Sequence, residues 1–454
     1  MAKSFSMEPR SVAAVETRHR SIKTQIPVPE SLEIIKSLRR TEPISMTGQP
    51  LVLWDHAQGA YVYDKWGNKW IDWSSGVLIT NAGHNHPKVN QAIIDQVKKG
   101  LLTSYCFPNE PRAQLAQLLI EITPKGLDKA FILTTGSETV ECAFKLMRTY
   151  GLKKGGKKKI TVVSFEKAFH GRTLGAQMLG GTMKLKEWIV NLDPNIVQVP
   201  FPDGFRTTDT SFALFEKKLA ELKVTPESVA GVILETYQGG GASFAPPEYM
   251  QDLRKWCDKY GAVLALDEVQ AGFGRTGTMF GFEHYGIVPD LVCFGKGISS
   301  CLPVSAVVGR EEIMDLYGPN EMTSTHTGNP ICAAAAAANI KAIIEEKIVD
   351  HAARMGRILH EGLGEARKKY SKVIGALHGK GLVAGLHMVK PGTIEPDGDL
   401  AWNIVNSCVE KGLLLFAPVG FGTATVKINP PLVIAEDALR EGLTVMDGAI
   451  RENI

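Results

Sequence analysis

The sequence predicts an α/β protein: a large domain on a mostly parallel sheet, followed by a smaller α+β domain. Three observations predict it. Short, nearly all-apolar runs alternate with helical patterns from Lys129 to Gly295, as strands buried on both faces require. Beyond Glu345 the text turns to mixed helices and strands,. The chain has 454 residues, comfortable for two or three packed lobes,.

Taken in order, the first forty residues carry eight Lys/Arg against four Asp/Glu, with little periodic hydrophobicity. They predict a solvated arm with one short helix at Ser31–Arg40; the alternative is an arm lying over a partner subunit or a site entrance,. From Leu51, AYVYDKWGNKWIDWSSG sets Asp64 and Gly67-Asn68 between Tyr/Val/Trp/Ile-rich runs, the pattern of a hairpin or meander,. Helices are predicted at Pro87–Lys99, Pro111–Ile122, Glu138–Tyr150 and Tyr249–Tyr260,. Strands are predicted at Lys129–Thr135, Lys159–Phe165, Ala230–Glu235, Ala262–Glu268 and Asp290–Gly295,. The run of five lysines within Lys153–Lys159 predicts an exposed loop,. Six consecutive alanines, Ala333–Ala338, open a helix after Pro330,. The last part predicts strand (GLVAGLHMV), helix (Asp399–Lys411), two strands (LLLFAP, TATVKIN) and helix (Glu436–Ile450). The domains are accordingly set at 1–84 (arm and part of the small domain), 85–335 (large domain) and 336–454 (C-terminal small domain).

Composition excludes several classes. Hydrophobic residues make up 44% and charged residues 22%, values of a globular rather than disordered chain,. The formal charge of +3 gives no long-range field for nucleic acid,. Seven scattered cysteines without a CxxC pair argue against a disulfide framework or structural zinc and fit a reducing cytoplasm,. No early apolar run has the form of a signal peptide, and no stretch of about 20 apolar residues is present to span a membrane,.

In an open α/β sheet, ligands gather beyond the carboxyl ends of the strands. The apolar runs deliver Thr134-Thr135-Gly136-Ser137-Glu138, Glu235, Asp267-Glu268-Val269-Gln270 and Gly295-Lys296-Gly297 there. Gly136 and Ser137 open a helix whose first N–H groups suit an anion, though such junctions also occur as ordinary caps. GxxxxGK[ST] and GxGxxG are both missing from this junction, which weakens nucleotide readings,. Lys296 ends an apolar strand, where desolvation disfavours its ammonium form and makes the amine nucleophilic. Alone it would be a lysine snorkelling off a strand. Beside it Asp267 is suited to hold a protonated ring nitrogen. A reactive amine, a pyridinium partner and a phosphate cup form the constellation expected for pyridoxal 5'-phosphate.

From about Leu51 onward the chain resembles the class III aminotransferases, pyridoxal-phosphate enzymes of fold type I that include the 4-aminobutyrate and ω-amino-acid transaminases. The resemblance rests on the ordered set GHNHP, TTGSETVECAFKLMR, FHGRT, ALDEVQAGFGRTG, PDLVCFGKGISSCLPVSAVVG and THTGNP. It implies a seven-stranded large-domain sheet, Lys296 as the Schiff-base lysine and Asp267 as partner of the pyridine nitrogen. By the same resemblance Gln270 reaches the ring hydroxyl, Phe169 (Tyr in many relatives) stacks on the ring with His170 next to it, and Gly136 and Ser137 hold the phosphate. Glu235 stands near the cofactor. Thr325 reaches the phosphate of the neighbouring subunit, which implies a homodimer with shared active sites.

Departures from the family concern the substrate. Arg172 matches an arginine used on a substrate carboxylate. The family's second arginine is replaced by Lys427, and Gly240 stands where a glutamate gate is usual. Activity is therefore expected as transfer of an amino group from an ω- or β-amino donor to a keto acid, 2-oxoglutarate, with no metal. The specific donor expected is a 3-aminoacyl-CoA such as 3-aminobutyryl-CoA. Alternatives are a free ω-amino acid donor, or an amino-acid racemase or epimerase on the same scaffold.

Overall fold

The computed structural model describes residues 3–454, which divide into two compact units, Pro87–Val349 and a second made of residues up to His86 together with Asp350–Ile454.

The larger unit is built on seven strands: β1 (Lys129–Leu133), β2 (Thr161–Phe165), β3 (Ile196–Val199), β4 (Val229–Glu235), β5 (Val263–Asp267), β6 (Leu291–Phe294) and β7 (Ser305–Gly309). Their order across the sheet is β1-β7-β6-β5-β4-β2-β3. Neighbours from β6 through β3 pair in parallel, and β7 runs antiparallel to both β6 and β1. Its long helices are α1 (Pro87–Lys99), α2 (Glu110–Ile122), α3 (Gly136–Gly155), α4 (Phe212–Glu221), α5 (Pro247–Tyr260) and α6 (Pro330–Glu345). Every residue of β2, β4, β5, β6 and β7 is buried, as a sheet covered on both faces demands,. Val140, Leu146 and Met147 of α3 join Ile233, Val263, Leu291 and Val307 in one core.

Five of the seven strands match runs predicted from the sequence. β3 and β7 were not among them. β3 is the four-residue edge strand IVQV and β7 the five-residue run SAVVG; both hold β-branched residues that favour strands, but each is short,.

The smaller unit holds the expected meander, His56–Gln58, Tyr61–Tyr63 and Lys69–Asp72, all antiparallel. Asp64 shapes its second turn, accepting from the Trp66 and Asn68 backbone N–H groups at 2.9 Å each,. A second antiparallel sheet joins Ile374–Lys380, Val383–Met388 and Thr425–Ile428. LLLFAP forms a strand only at Leu413–Leu414.

Two sequence expectations are corrected. The N-terminal segment is not a solvated arm. Ser21 pairs with Lys69, Ile22, Ile26 and Val28 are buried, and Phe5 stacks on Trp402 with centroids 4.2 Å apart. Arg20 Nε donates to Glu441 Oε1 at 2.6 Å. Its apolar residues are too sparse to show a period, yet Ile22, Ile26 and Val28 find cover where the segment adds a strand to an existing sheet, while Ile34 and Leu38 stay exposed,. The lysine run is exposed at Lys153–Lys158 but is no loop: Lys153 and Lys154 end α3, Gly156–Lys158 form a 3-10 turn, and Lys159 is buried with Nζ donating to the Tyr260 carbonyl at 2.8 Å. Among the described residues no helix is long and apolar enough to cross a membrane.

Candidate active site

A cavity of about 250 Å³ lies in the larger unit. Its lining includes the sequence-predicted Gly136, Ser137, Phe169, His170, Arg172, Glu235, Asp267, Gln270 and Lys296. Thr135 and Val269, which the sequence places at the strand ends without a role, also line it, as do Gly171 and Tyr237, chain neighbours within two residues of a predicted one. Thr325 and Gly240 do not line it; Thr325 is exposed, Gly240 half-buried. Lys427 belongs to the other unit, where it is buried opposite Gly385.

The cavity sits where parallel strands end. In the register of β4 and β5, Asp267 stands opposite Glu235, so both carboxylates reach the same level. Asp267 is 6% exposed. Its Oδ1 accepts from the Val269 N–H at 3.0 Å, and its Oδ2 pairs with His170 Nδ1 at 2.9 Å. Each oxygen keeps a further lone pair for a ligand. Burial opposes charging of the His170 ring, but the Asp267 hydrogen bond and the Asp267 and Glu235 charges prevail and raise its pKa above the ordinary histidine value,. His170 Nε2 is buried without a hydrogen-bond partner.

Glu235 Oε2 accepts from the Phe169 N–H at 2.9 Å, and Oε1 from the Gly239 N–H at 2.8 Å. One buried carboxylate thus ties two loops to the end of β4. Burial pushes its carboxyl up to about 7, with His170 and the amide donors pulling down and Asp267 adding to the rise.

Lys296 follows β6 with φ of +43°, in the left-handed region that side-chain-bearing residues avoid, at a cost on the order of 1–3 kcal/mol. Burial lowers the pKa of its amine from the ordinary lysine value, against the opposing pull of Asp267 and Glu235,. That shift increases the fraction present as free amine.

The loop from β1 into α3 forms a cradle. Thr135 and Glu138 make a capping box, Thr135 Oγ1 accepting from the Glu138 N–H and Glu138 Oε2 from the Thr135 N–H,. Gly136 and Ser137 then supply first-turn N–H groups that have no intrahelical partner, at the positive end of a 20-residue helix,. A Cβ on Gly136 would lie 2.8 Å from Val269 Cγ1, so the loop approaches as closely as a glycine allows. Ser137 Oγ accepts from the Arg172 N–H at 3.1 Å, and Gly171 has φ of +133° with a hypothetical Cβ only 2.1 Å from that oxygen. The Arg172 guanidinium carbon stands 5.6 Å from the centroid of the half-exposed Phe169 ring,. Gln270 lies against Gly239, whose added Cβ would sit 2.4 Å from Gln270 Nε2.

These residues fit pyridoxal phosphate: an amine with lowered pKa, a carboxylate with spare lone pairs, an orphaned buried imidazole nitrogen and a glycine-lined cradle at a helix N-terminus. Fold and donor set define a fold type I pyridoxal-phosphate enzyme. A family model described as Aminotransferase class-III matches residues 45–450, and the chain belongs to that family. It is 35% identical to an acetylornithine aminotransferase of Methanopyrus kandleri, over 87% of this chain and 93% of that one. It is 34% identical to a 4-aminobutyrate aminotransferase of Mycobacterium leprae, over 94% and 97%. It is also 30% identical to an alanine/serine racemase of Pyrococcus horikoshii, over 99% and 96%. Among solved structures, an amine transaminase from an uncultivated Pseudomonas species, in its PLP-bound form, superposes with a TM-score of 0.82 at 26% identity, covering 88% of this chain and 95% of that one. The protein is a pyridoxal-phosphate-dependent transaminase, with an amino donor and a keto-acid acceptor as its substrates.

Proposed function

We propose that this transaminase takes its amino group from an ω- or β-amino compound and passes it to 2-oxoglutarate, with Lys296 as the residue that bonds the cofactor. The observation that carries the site assignment is the meeting of Lys296, Asp267 and the α3 N-terminus in one cavity. When bound, pyridoxal phosphate holds the amino group between half-reactions and accepts the electron pair left on the donor carbon. Lys296 Nζ takes the proton from that carbon and returns it, a task its lowered pKa suits,. Asp267 keeps the ring nitrogen protonated, and His170 fixes the orientation of Asp267,. Thr135, Gly136 and Ser137 would hold the phosphate, and Phe169 and Gln270, which line the same cavity, would hold the ring. Glu235 holds the loops that carry Phe169 and Gly239 in place.

The active form is a homodimer in which Thr325 completes the partner's phosphate site. Support comes from exposed apolar side chains, Leu101, Leu102 and the 75% exposed Phe107, on a segment joined to the Thr325 loop. The joints are Tyr105 Oη to Thr323 Oγ1 at 3.3 Å and Asn329 Nδ2 to the Leu102 carbonyl at 2.8 Å.

Within this class the donor is a 3-aminoacyl-CoA such as 3-aminobutyryl-CoA. Gly240 adds no side chain where relatives carry a gate, and Lys427 offers a point charge in place of an arginine fork. The names of the aminotransferase relatives favour a free ω-amino acid instead, and the racemase relative favours inversion without transfer. A donor panel with 2-oxoglutarate, tracking the donor nitrogen, separates the three. The expected result is nitrogen appearing in glutamate, with the thioester turned over faster than free ω-amino acids. Inversion with nitrogen retained overturns the transaminase reading of the substrate. The pair Gly240→Glu and Lys427→Arg is expected to depress thioester turnover more than that of small donors; equal effects remove the support for the thioester.

A further inference from the structure

Asparagine is a poor residue for a helix interior, yet Asn339 sits inside α6 directly after Ala333–Ala338,. It is fully buried. Its Nδ2 donates to the carbonyl oxygens of Gly297 and Ile298, both at 2.9 Å. Those carbonyls belong to the turn Lys296–Ile298 that begins with the active-site lysine. The amide orientation is dictated by these partners, because a flipped Oδ1 would face two acceptors. Asn339 Oδ1, by contrast, is buried with no hydrogen-bond partner. An apolar residue at this position would carry no such orphan, so packing alone does not account for the amide.

The turn needs holding. Lys296 and Ser300 have φ of +43° and +59°, both left-handed, and the backbone bond closing over Lys296, from Ser299 N–H to its carbonyl, is long at 3.4 Å,. α6 is a long, regular helix and makes a rigid anchor. We propose that Asn339 is a positioning residue: by tying the Gly297 and Ile298 carbonyls to α6, it fixes the strained backbone at Lys296 and aims the lysine amine into the cofactor cavity. This rests on the reading of Lys296 as the cofactor lysine.

Apoprotein mixed with pyridoxal phosphate gives two separate readings. Quenching of intrinsic fluorescence reports non-covalent binding. Condensation of Lys296 Nζ with the cofactor aldehyde forms a C=N bond and releases one water; borohydride trapping and mass spectrometry of the Lys296 peptide follow it in time. Asn339→Ala and Asn339→Leu both remove the donor, and Asn339→Leu restores the volume. Both are expected to bind cofactor within about twofold of the parent affinity and to trap it about tenfold more slowly. Recovery of the parent rate by Asn339→Leu alone would make Asn339 a packing residue and overturn the proposal, as would parent rates in both variants. Should Asn339→Ala fail to melt cooperatively, Asn339→Leu decides. A parent protein labelled on another lysine overturns the Lys296 reading itself, a failure distinct from normal labelling with no effect of Asn339.

Discussion

At Asp267, hydrogen bonds from Val269 and His170 fix both carboxylate oxygens while lone pairs stay open toward the cavity. Asp267→Asn keeps the size but loses the charge that holds a ring nitrogen protonated. Turnover is expected to fall by about three orders of magnitude, about 4 kcal/mol of transition-state stabilisation, with cofactor still bound. Steady-state kinetics of a variant shown to be loaded checks this, and near-parent turnover would make Asp267 structural. Lys296 and Asp267 were legible in the sequence because each closes an apolar strand run, a local signal. The His170–Asp267 pair was not: the two lie 97 residues apart, and nothing local marks the histidine as the carboxylate's partner. Nor was the role of Glu235, whose two acceptors serve backbone amides that any sequence possesses.

The β1–α3 junction and the loop carrying Gly171 meet at Ser137, and this contact shapes the cradle at the α3 N-terminus. Gly171→Ala would drive a methyl into Ser137 Oγ from a backbone conformation that alanine avoids,. Cofactor affinity is expected to fall about ten- to a hundredfold by equilibrium dialysis, while α3 and the sheet keep their circular dichroism. Unchanged affinity would show that Ser137 and the cradle give way freely. Helices such as α1, α2 and α5 were legible to within about two residues because their apolar periodicity and proline starts are local,. β7, a five-residue run with two valines, was not predicted; it lies buried between β1 and β6, antiparallel to both. The N-terminal segment misled because its charge suggested solvation, whereas Arg18 and Arg20 pair with the distant Asp437 and Glu441, and Ile22, Ile26 and Val28 are buried.

On the scale of the whole chain, the carboxyls of Glu235 and Glu268 are both pushed up to about 7, chiefly by burial, and the His170 pKa is raised. Each group binds more protons in the folded apoprotein than in the unfolded chain, so these three weaken the fold as pH rises toward about 7, while His360, whose pKa burial lowers, works in the opposite sense,. Surface carboxylates held below their ordinary value are already ionised in this range and do not offset the loss. Denaturant unfolding of the apoprotein is expected to show a decrease of roughly 1 to 3 kcal/mol between about pH 5.5 and about pH 7.5; a rise over that range would mean the two glutamates are ionised on folding. The most direct measurement on the intact chain is borohydride reduction of the cofactor-loaded protein, followed by whole-protein mass and peptide mapping. The expected result is one pyridoxyl group per chain, carried by the peptide that holds Lys296. Label on any other lysine, or a loaded chain that takes none, would contradict the assignment of Lys296 and the site built around it.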